Sequence, residues 1–188
     1  ANLDIIASEV DLAVAEVDVA RKENYLQRLQ FALMPIHSSD RYEFIIVDCP
    51  PSLGILTMNA LAAVDSVLVP MQAEYFALEG LAVITRVLQQ IRDSGANPSL
   101  ELQGIVLTMY DGRTNLAQQV AGEVRKHFPG KVFKTIVPRT VRLAEAPSFG
   151  KPITIYDPSS YAANCYRSLT EELLGVAPPV VEPVIIAS

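Results

Sequence analysis

Residues 42–54 read YEFIIVDCPPSLG. The apolar run 44–47 stands between Arg41-Tyr42-Glu43 and Asp48, and two prolines follow Cys49. A short β-favouring run without polar alternation is the pattern of a parallel strand covered on both faces, and proline, having no N–H to donate, ends such a strand. The expectation is one buried strand with Asp48 at its carboxyl end. Ligands of open parallel sheets bind at that edge, which makes the carboxylate a candidate ligand for a metal or a phosphate-bound cation. The same position also suits an aspartate that only caps the following turn.

The pattern extends in both directions. Upstream, residues 3–7 read as a short strand, and Ser8, with Asp11 three residues later, reads as the cap of a helix. Tyr25, Leu26, Leu29, Ala32 and Leu33 then fall at helical spacing within 21–34, closed by Pro35, predicting an amphipathic helix packed on a sheet. Residues 36–41 form a polar connector. Downstream, apolar runs at 66–71, 102–110 and 132–137 alternate with helical patterns at 76–92, 114–128 and 159–174, and 94–99 and 139–158 read as loops. Strands alternating with helices imply βαβ units and right-handed crossovers. The fold class expected is a three-layer α/β domain, a mostly parallel sheet with helices on both faces. Asp48, Gln72, Tyr110-Asp111 and Pro138-Arg139 each follow a strand and should share one edge. Turns at Gly95 and Gly130 belong to the opposite edge.

With 188 residues, 50% hydrophobic and 19% charged, the chain has a globular composition. Residues 1–174 read as one α/β domain and 175–188, with Pro178, Pro179 and Pro183 among valines, as an extended tail. Cys49 and Cys165 are far apart and form no C-x-x-C or Cys/His spacing, so no disulfide framework or zinc site is indicated, and a reduced, cytoplasmic setting is the default. No apolar stretch reaches membrane-span length, and the tail has no Lys or Arg to suit a membrane-binding helix. A chain that starts at Ala1, directly before a predicted strand, is expected to begin partway into a longer protein. Net charge is −6, yet residues 113–151 hold eight Lys/Arg against two acids, leaving −12 elsewhere. That asymmetry suggests a local anion-binding face, although scattered solvated charges would give the same count.

A strand ending in Asp is what a nucleotide hydrolase uses to hold magnesium through water. Its partner is a G-x-x-x-x-G-K-[ST] phosphate loop, which these 188 residues do not contain; Gly130-Lys131 and Gly150-Lys151 lack the strand–helix context. Four long stretches nevertheless carry a family pattern in order: YEFIIVDCPPSLGILTMNAL, VLVPMQAEYFALEGL, GIVLTMYDGRTNLAQQV and VFKTIVPRTVRLAEAPSFGKPITIYDPSS, with NLDIIAS and DLAVAE near the start. In these the chain resembles the ParA/Soj partitioning ATPases over nearly its whole length to about Leu174.

The resemblance implies a deviant Walker A P-loop NTPase fold whose first strand, P-loop and catalytic aspartate lie upstream of NLDIIAS, so that the 188 residues alone would be inactive. It implies ATP and Mg2+ as cofactors, an ATP-dependent homodimer, DNA binding without sequence preference, a ParB-type centromere-binding partner that stimulates hydrolysis, and a cytoplasmic, nucleoid-associated setting in chromosome or plasmid partition. By the same resemblance Asp48 is the Walker B aspartate, holding magnesium through water. Thr108, Met109 and Pro138 flank the adenine, Gln72, Glu74 and Tyr75 lie on the dimer face, and Arg113 and Arg142 contact DNA. For Thr108, Met109 and Pro138 strand-end packing is the competing reading, and for the arginines ion pairs with Asp111 or Glu145. Two other functions stay open: a non-catalytic fragment of the same fold that binds DNA or a partner, and a membrane-cycling regulator of the MinD type. His37 and His127 lack triad partners, Cys49 fits packing, and Lys151 fits a solvated loop.

Overall fold

The computed structural model describes residues 3–9 and 11–175. Two compact units are present: residues up to Val67 together with Val83–Leu102, and Leu68–Ala82 together with Gln103 onward.

The first unit is built around α3 (Ile55–Ala63), whose sequence ILTMNALAA is apolar nearly all round and therefore suits burial on every side. Thr57, Asn59, Ala60, Leu61 and Ala62 are all buried. Asn59 ties three segments together: its Nδ2 donates to the Ile55 carbonyl at 3.0 Å and the Tyr25 carbonyl at 2.8 Å, and its Oδ1 accepts from Leu29 N at 3.3 Å. Glu16 of α1 (Leu12–Ala20) accepts from the first amide of α3, Ile55 N, at 2.7 Å, and Gly54 precedes it where a side chain would run into that carboxylate. At the other end Asn97 Nδ2 donates to the Leu61 and Val64 carbonyls at 3.0 and 2.7 Å, satisfying acceptors that the end of α3 leaves free. Leu61, Leu88, Ile91 and Leu100 form the core here, with Met58, Ile84 and Val87 against them.

Three expectations for this unit are corrected. Residues 3–7 and 44–47 are not strands: they lie outside any ladder, with Leu3, Ile5, Ile6, Phe44, Ile45 and Ile46 exposed. An apolar run becomes a strand only where a neighbour takes up its N–H and C=O groups, and neither run has such a neighbour among the described residues. The helix expected over 21–34 is interrupted at Asn24, whose backbone is left-handed at φ 52°, leaving a 3-10 turn (Tyr25–Gln27) and then α2 (Arg28–His37). Pro35 stands inside α2 rather than closing it, and α2 packs on α3, not on a sheet. The helix near Ser8 does form, as α1, but its N-cap is Asp11 without a side-chain bond.

The second unit contains the sheet. Strands β1 (Ser66–Gln72), β2 (Glu101–Tyr110) and β3 (Val132–Pro138) lie in the order β1-β2-β3, and β2 and β3 are parallel. β2 is central, and its run Gly104–Leu107 is buried without alternation, the pattern of a strand covered on both faces. Between the strands in sequence run α4 (Ala77–Asp93), which from Val83 onward belongs to the first unit, and α5 (Asn115–His127). Thr114 caps α5 by accepting from Ala117 N at 3.3 Å, and the helix buries Ala117, Val120, Ala121 and Val124 at helical spacing. The last helix, α8 (Tyr161–Leu173), lays Leu169 and Leu173 against Val106, Phe133 and Val137.

The loop expected over 139–158 is largely helical: α6 (Val141–Glu145), a 3-10 turn (Ala146–Phe149) and α7 (Ile153–Tyr156). Thr140 caps α6 by accepting from Leu143 N at 3.2 Å, and Ala146 and Ile153 pack with Ala162 and Ala163 of α8. These segments are too short to show a periodic stripe, which is why composition alone reads them as loop. The proline-rich tail expected from residue 175 lies, beyond Gly175, outside the described residues.

The register of β2 and β3 slips twice. Ile105 pairs Val132 and Leu107 pairs Ile136, so β3 carries extra residues there, and the amides of Lys134 and Thr135 donate instead to the Glu172 carboxylate at 2.7 and 3.0 Å. Beyond this Tyr110 pairs Pro138, so β2 gains the extra residue, and within that bulge Met109 is left-handed at φ 49°.

Candidate functional site

The carboxyl ends of β1, β2 and β3 form one edge of the second unit. Arg139 N donates to the Tyr110 carbonyl at 3.0 Å, and the Arg139 guanidinium pairs with Glu74 at 3.8 Å. Thr108 Oγ1 donates to the Met71 carbonyl at 3.5 Å. Of the residues expected to share one edge, Gln72, Tyr110-Asp111 and Pro138-Arg139 lie at adjoining strand ends, with Glu74, Tyr75, Thr108 and Met109 beside them, while Asp48 follows no strand. Tyr75 and Phe76 are exposed and meet edge to face, with ring centroids 5.0 Å apart. Met109 is 46% exposed, the bulge having turned it out of the ladder.

Two arginines next to this edge are held by carboxylates. Arg113 grips Asp111 with both arms of its guanidinium, Nε to Oδ1 at 2.9 Å and Nη2 to Oδ2 at 2.7 Å, and its amide donates to Oδ1 at 3.1 Å. These bonds, the guanidinium first and the amide second, hold the Asp111 carboxyl down at about 2. Arg142 lies 3.4 Å from Glu145 and 3.7 Å from Asp157, with Cζ 6.0 Å from the Tyr156 ring centre. Tyr156 hydroxyl donates to Glu145 at 3.1 Å, and its ring stacks on Phe149 at 5.0 Å. Asp111 and Glu145 are the acids that the sequence itself offers as ion-pair partners. Asp157 and Tyr156 reach Arg142 only because α7 brings them back to α6.

Asp48 belongs to the first unit and is exposed, in an extended segment rather than at a strand end. Among the described residues its carboxylate makes no hydrogen bond or ion pair. Among these residues no group of three or more His, Cys, Asp or Glu is placed to hold a metal. Burial, and then the charge of Asp48, push the Cys49 thiol up, away from the reactive thiolate. His127 Nδ1 lies 2.8 Å from the Glu123 carbonyl one helical turn back, His37 ends α2, and Lys151 follows Gly150 on the surface; none joins a catalytic cluster. No helix among the described residues is long and apolar enough to cross a membrane.

Comparison with known proteins bears on the family and the fold. A family model described as an AAA domain matches residues 1–102. The chromosome partitioning protein ParA of Myxococcus xanthus is 50% identical over 172 residues, covering 92% of this chain and 60% of the relative. The sporulation initiation inhibitor protein Soj of Bacillus subtilis is 48% identical over 172 residues, covering 92% of this chain and 67% of the relative. Among solved structures, cobyrinic acid a,c-diamide synthase of Mycobacterium smegmatis with bound ADP and magnesium is similar with a TM-score of 0.70 at 29% identity, covering 94% of this chain and 65% of that one. The chain thus spans 60% to 67% of the length of these two relatives. With its α/β fold of the P-loop NTPase kind, its parallel sheet edge and close identity along nearly its whole length, the chain belongs to the ParA/Soj family of chromosome-partitioning proteins.

Proposed function

We propose that the chain is the larger part of a ParA-type ATPase that dimerises around ATP, binds DNA without sequence preference and is released on hydrolysis stimulated by a ParB-type partner, on the cytoplasmic nucleoid. The observation that carries this reading is the gathering of the 72–75, 108–111 and 138–139 segments at one end of the sheet, where ligands of parallel α/β folds bind. Thr108, Met109 and Pro138 flank the adenine, and Gln72, Glu74 and Tyr75 supply the face met by a second copy. Asp48, exposed and without an ion pair among the described residues, would hold magnesium through water, and the ion would supply neutralisation of charge on the transferring phosphoryl group. Arg113 and Arg142 take DNA phosphates, since guanidinium–phosphate contacts give affinity without reading bases. Supporting the nucleotide, the similar Mycobacterium smegmatis synthase was solved with ADP and magnesium.

The test is fluorescence anisotropy of a random-sequence duplex titrated with full-length protein in ATP and in ADP. Tight binding is expected with ATP alone. Arg142→Glu should weaken it and lower the salt slope by about one to two while ATP affinity holds, and an unchanged DNA affinity would sink the assignment. Asp48→Ala should lose magnesium-dependent nucleotide affinity while folding normally.

A further inference from the structure

The two arginines assigned to DNA are the most tightly carboxylate-bound cations of the basic 113–151 segment: 2.7 Å for Arg113 and 3.4 Å for Arg142, against 3.8 Å for both Lys126 and Arg139. The acids are themselves placed by their neighbours. The backbone of Asp111 is fixed just ahead of α5, where its main-chain carbonyl accepts from Thr114 N at 3.2 Å and Thr114 Oγ1 at 3.0 Å. Glu145 is fixed by the Tyr156 hydroxyl, whose ring rests on Phe149. The arginines themselves stay open to a ligand, with side chains 90% and 60% exposed.

We propose that Asp111, and Glu145 with Asp157, set the DNA affinity of this protein by competing with phosphate for Arg113 and Arg142. The inference rests on the DNA role proposed for those arginines. An Arg–carboxylate pair presents no net charge to an approaching phosphate, and a phosphate oxygen must displace or share the carboxylate to make a bidentate contact. A single phosphate gains little from that exchange. A duplex, engaging both arginines on a dimer, gains it several times over, so the carboxylates act as a threshold that favours long polyanions over free nucleotide or inorganic phosphate.

The experiment uses the full-length protein with ATP and a labelled random duplex at low salt, comparing wild type with Asp111→Asn, Glu145→Gln, Asp157→Asn and the double Asp111→Asn/Glu145→Gln. Each single change should tighten binding about two- to fivefold, the range expected when an exposed pair is released, and the double about tenfold. Inorganic phosphate should also bind the DNA-free double variant more tightly than the wild type. Thermal melts and ATP affinity report folding; should Asp111→Asn disturb the start of α5, Glu145→Gln and Asp157→Asn read the same competition at Arg142. Unchanged or weaker DNA binding in these folded variants, with Arg142→Glu still defective, would overturn the competition and leave the DNA reading in place. No effect of Arg113→Glu or Arg142→Glu would overturn both.

Discussion

Met109 is the residue whose backbone says most about the sheet edge. A left-handed non-glycine residue is strained by its Cβ, here at φ 49°, and the strain is held by the bulge that lets Tyr110 pair Pro138. Met109→Gly should therefore be more stable than Met109→Ala by about 1 kcal/mol in urea denaturation. Nothing in LTMYDG announces the bulge, because the residue that takes the left-handed turn is not the glycine. The arginine partners were easier to read, since Asp111 and Glu145 lie two and three residues from Arg113 and Arg142 in the sequence. Asp111 also gives a pH signature. Its carboxyl is held at about 2, against an ordinary value near 3.9. A carboxylate with a depressed pKa contributes stability that is complete above the unfolded value and lost as pH falls from about 4 through about 2. A carboxyl NMR titration should show this low midpoint, returning to the ordinary range in Arg113→Gln.

At the scale of elements, legibility followed self-sufficiency. β1, β2, β3, α4, α5 and α8 came out within a residue or two of expectation, because each has a clear period or run and its partners lie within the same stretch of chain. Residues 44–47 have the composition of β2 but no ladder, and composition does not supply a neighbour. α3 was missed for the opposite reason: a helix apolar on nearly every side leaves no stripe to detect. Asn59 is the polar residue that makes this buried helix specific. Asn59→Ala should cost about 1–3 kcal/mol, since it strips Tyr25 O and Leu29 N of their partner, and equilibrium unfolding will measure it. Thr114→Ala, removing one N-cap from α5, should cost about 0.5–2 kcal/mol by the same measurement.

At the scale of the whole molecule, the buried clusters among the described residues include one around Leu61, Leu88, Ile91 and Leu100, one around Val106, Phe133 and Val137, and one of Ala146, Ile153, Ala162 and Ala163. Hydrogen exchange should accordingly be slow at Ile91, Leu100 and 105–107, which are all but fully buried, and fast over 3–9 and 43–50, which lie outside any ladder. The charge asymmetry was legible as a count, but its meaning was not. In the folded chain several of the cations in 113–151 are answered by acids, some from inside the segment and some, such as Asp157 and Glu74, from outside it. The Glu172 carboxylate, clasping the Lys134 and Thr135 amides, has a consequence of its own. Those two amides lie on a strand that pairs only with β2 among the described residues, and a strand of that kind is a template on which another chain can grow. With the carboxylate in place those two amides are taken up within the chain and offer nothing to another strand. Glu172→Ala should free them and show itself as faster self-association in light scattering.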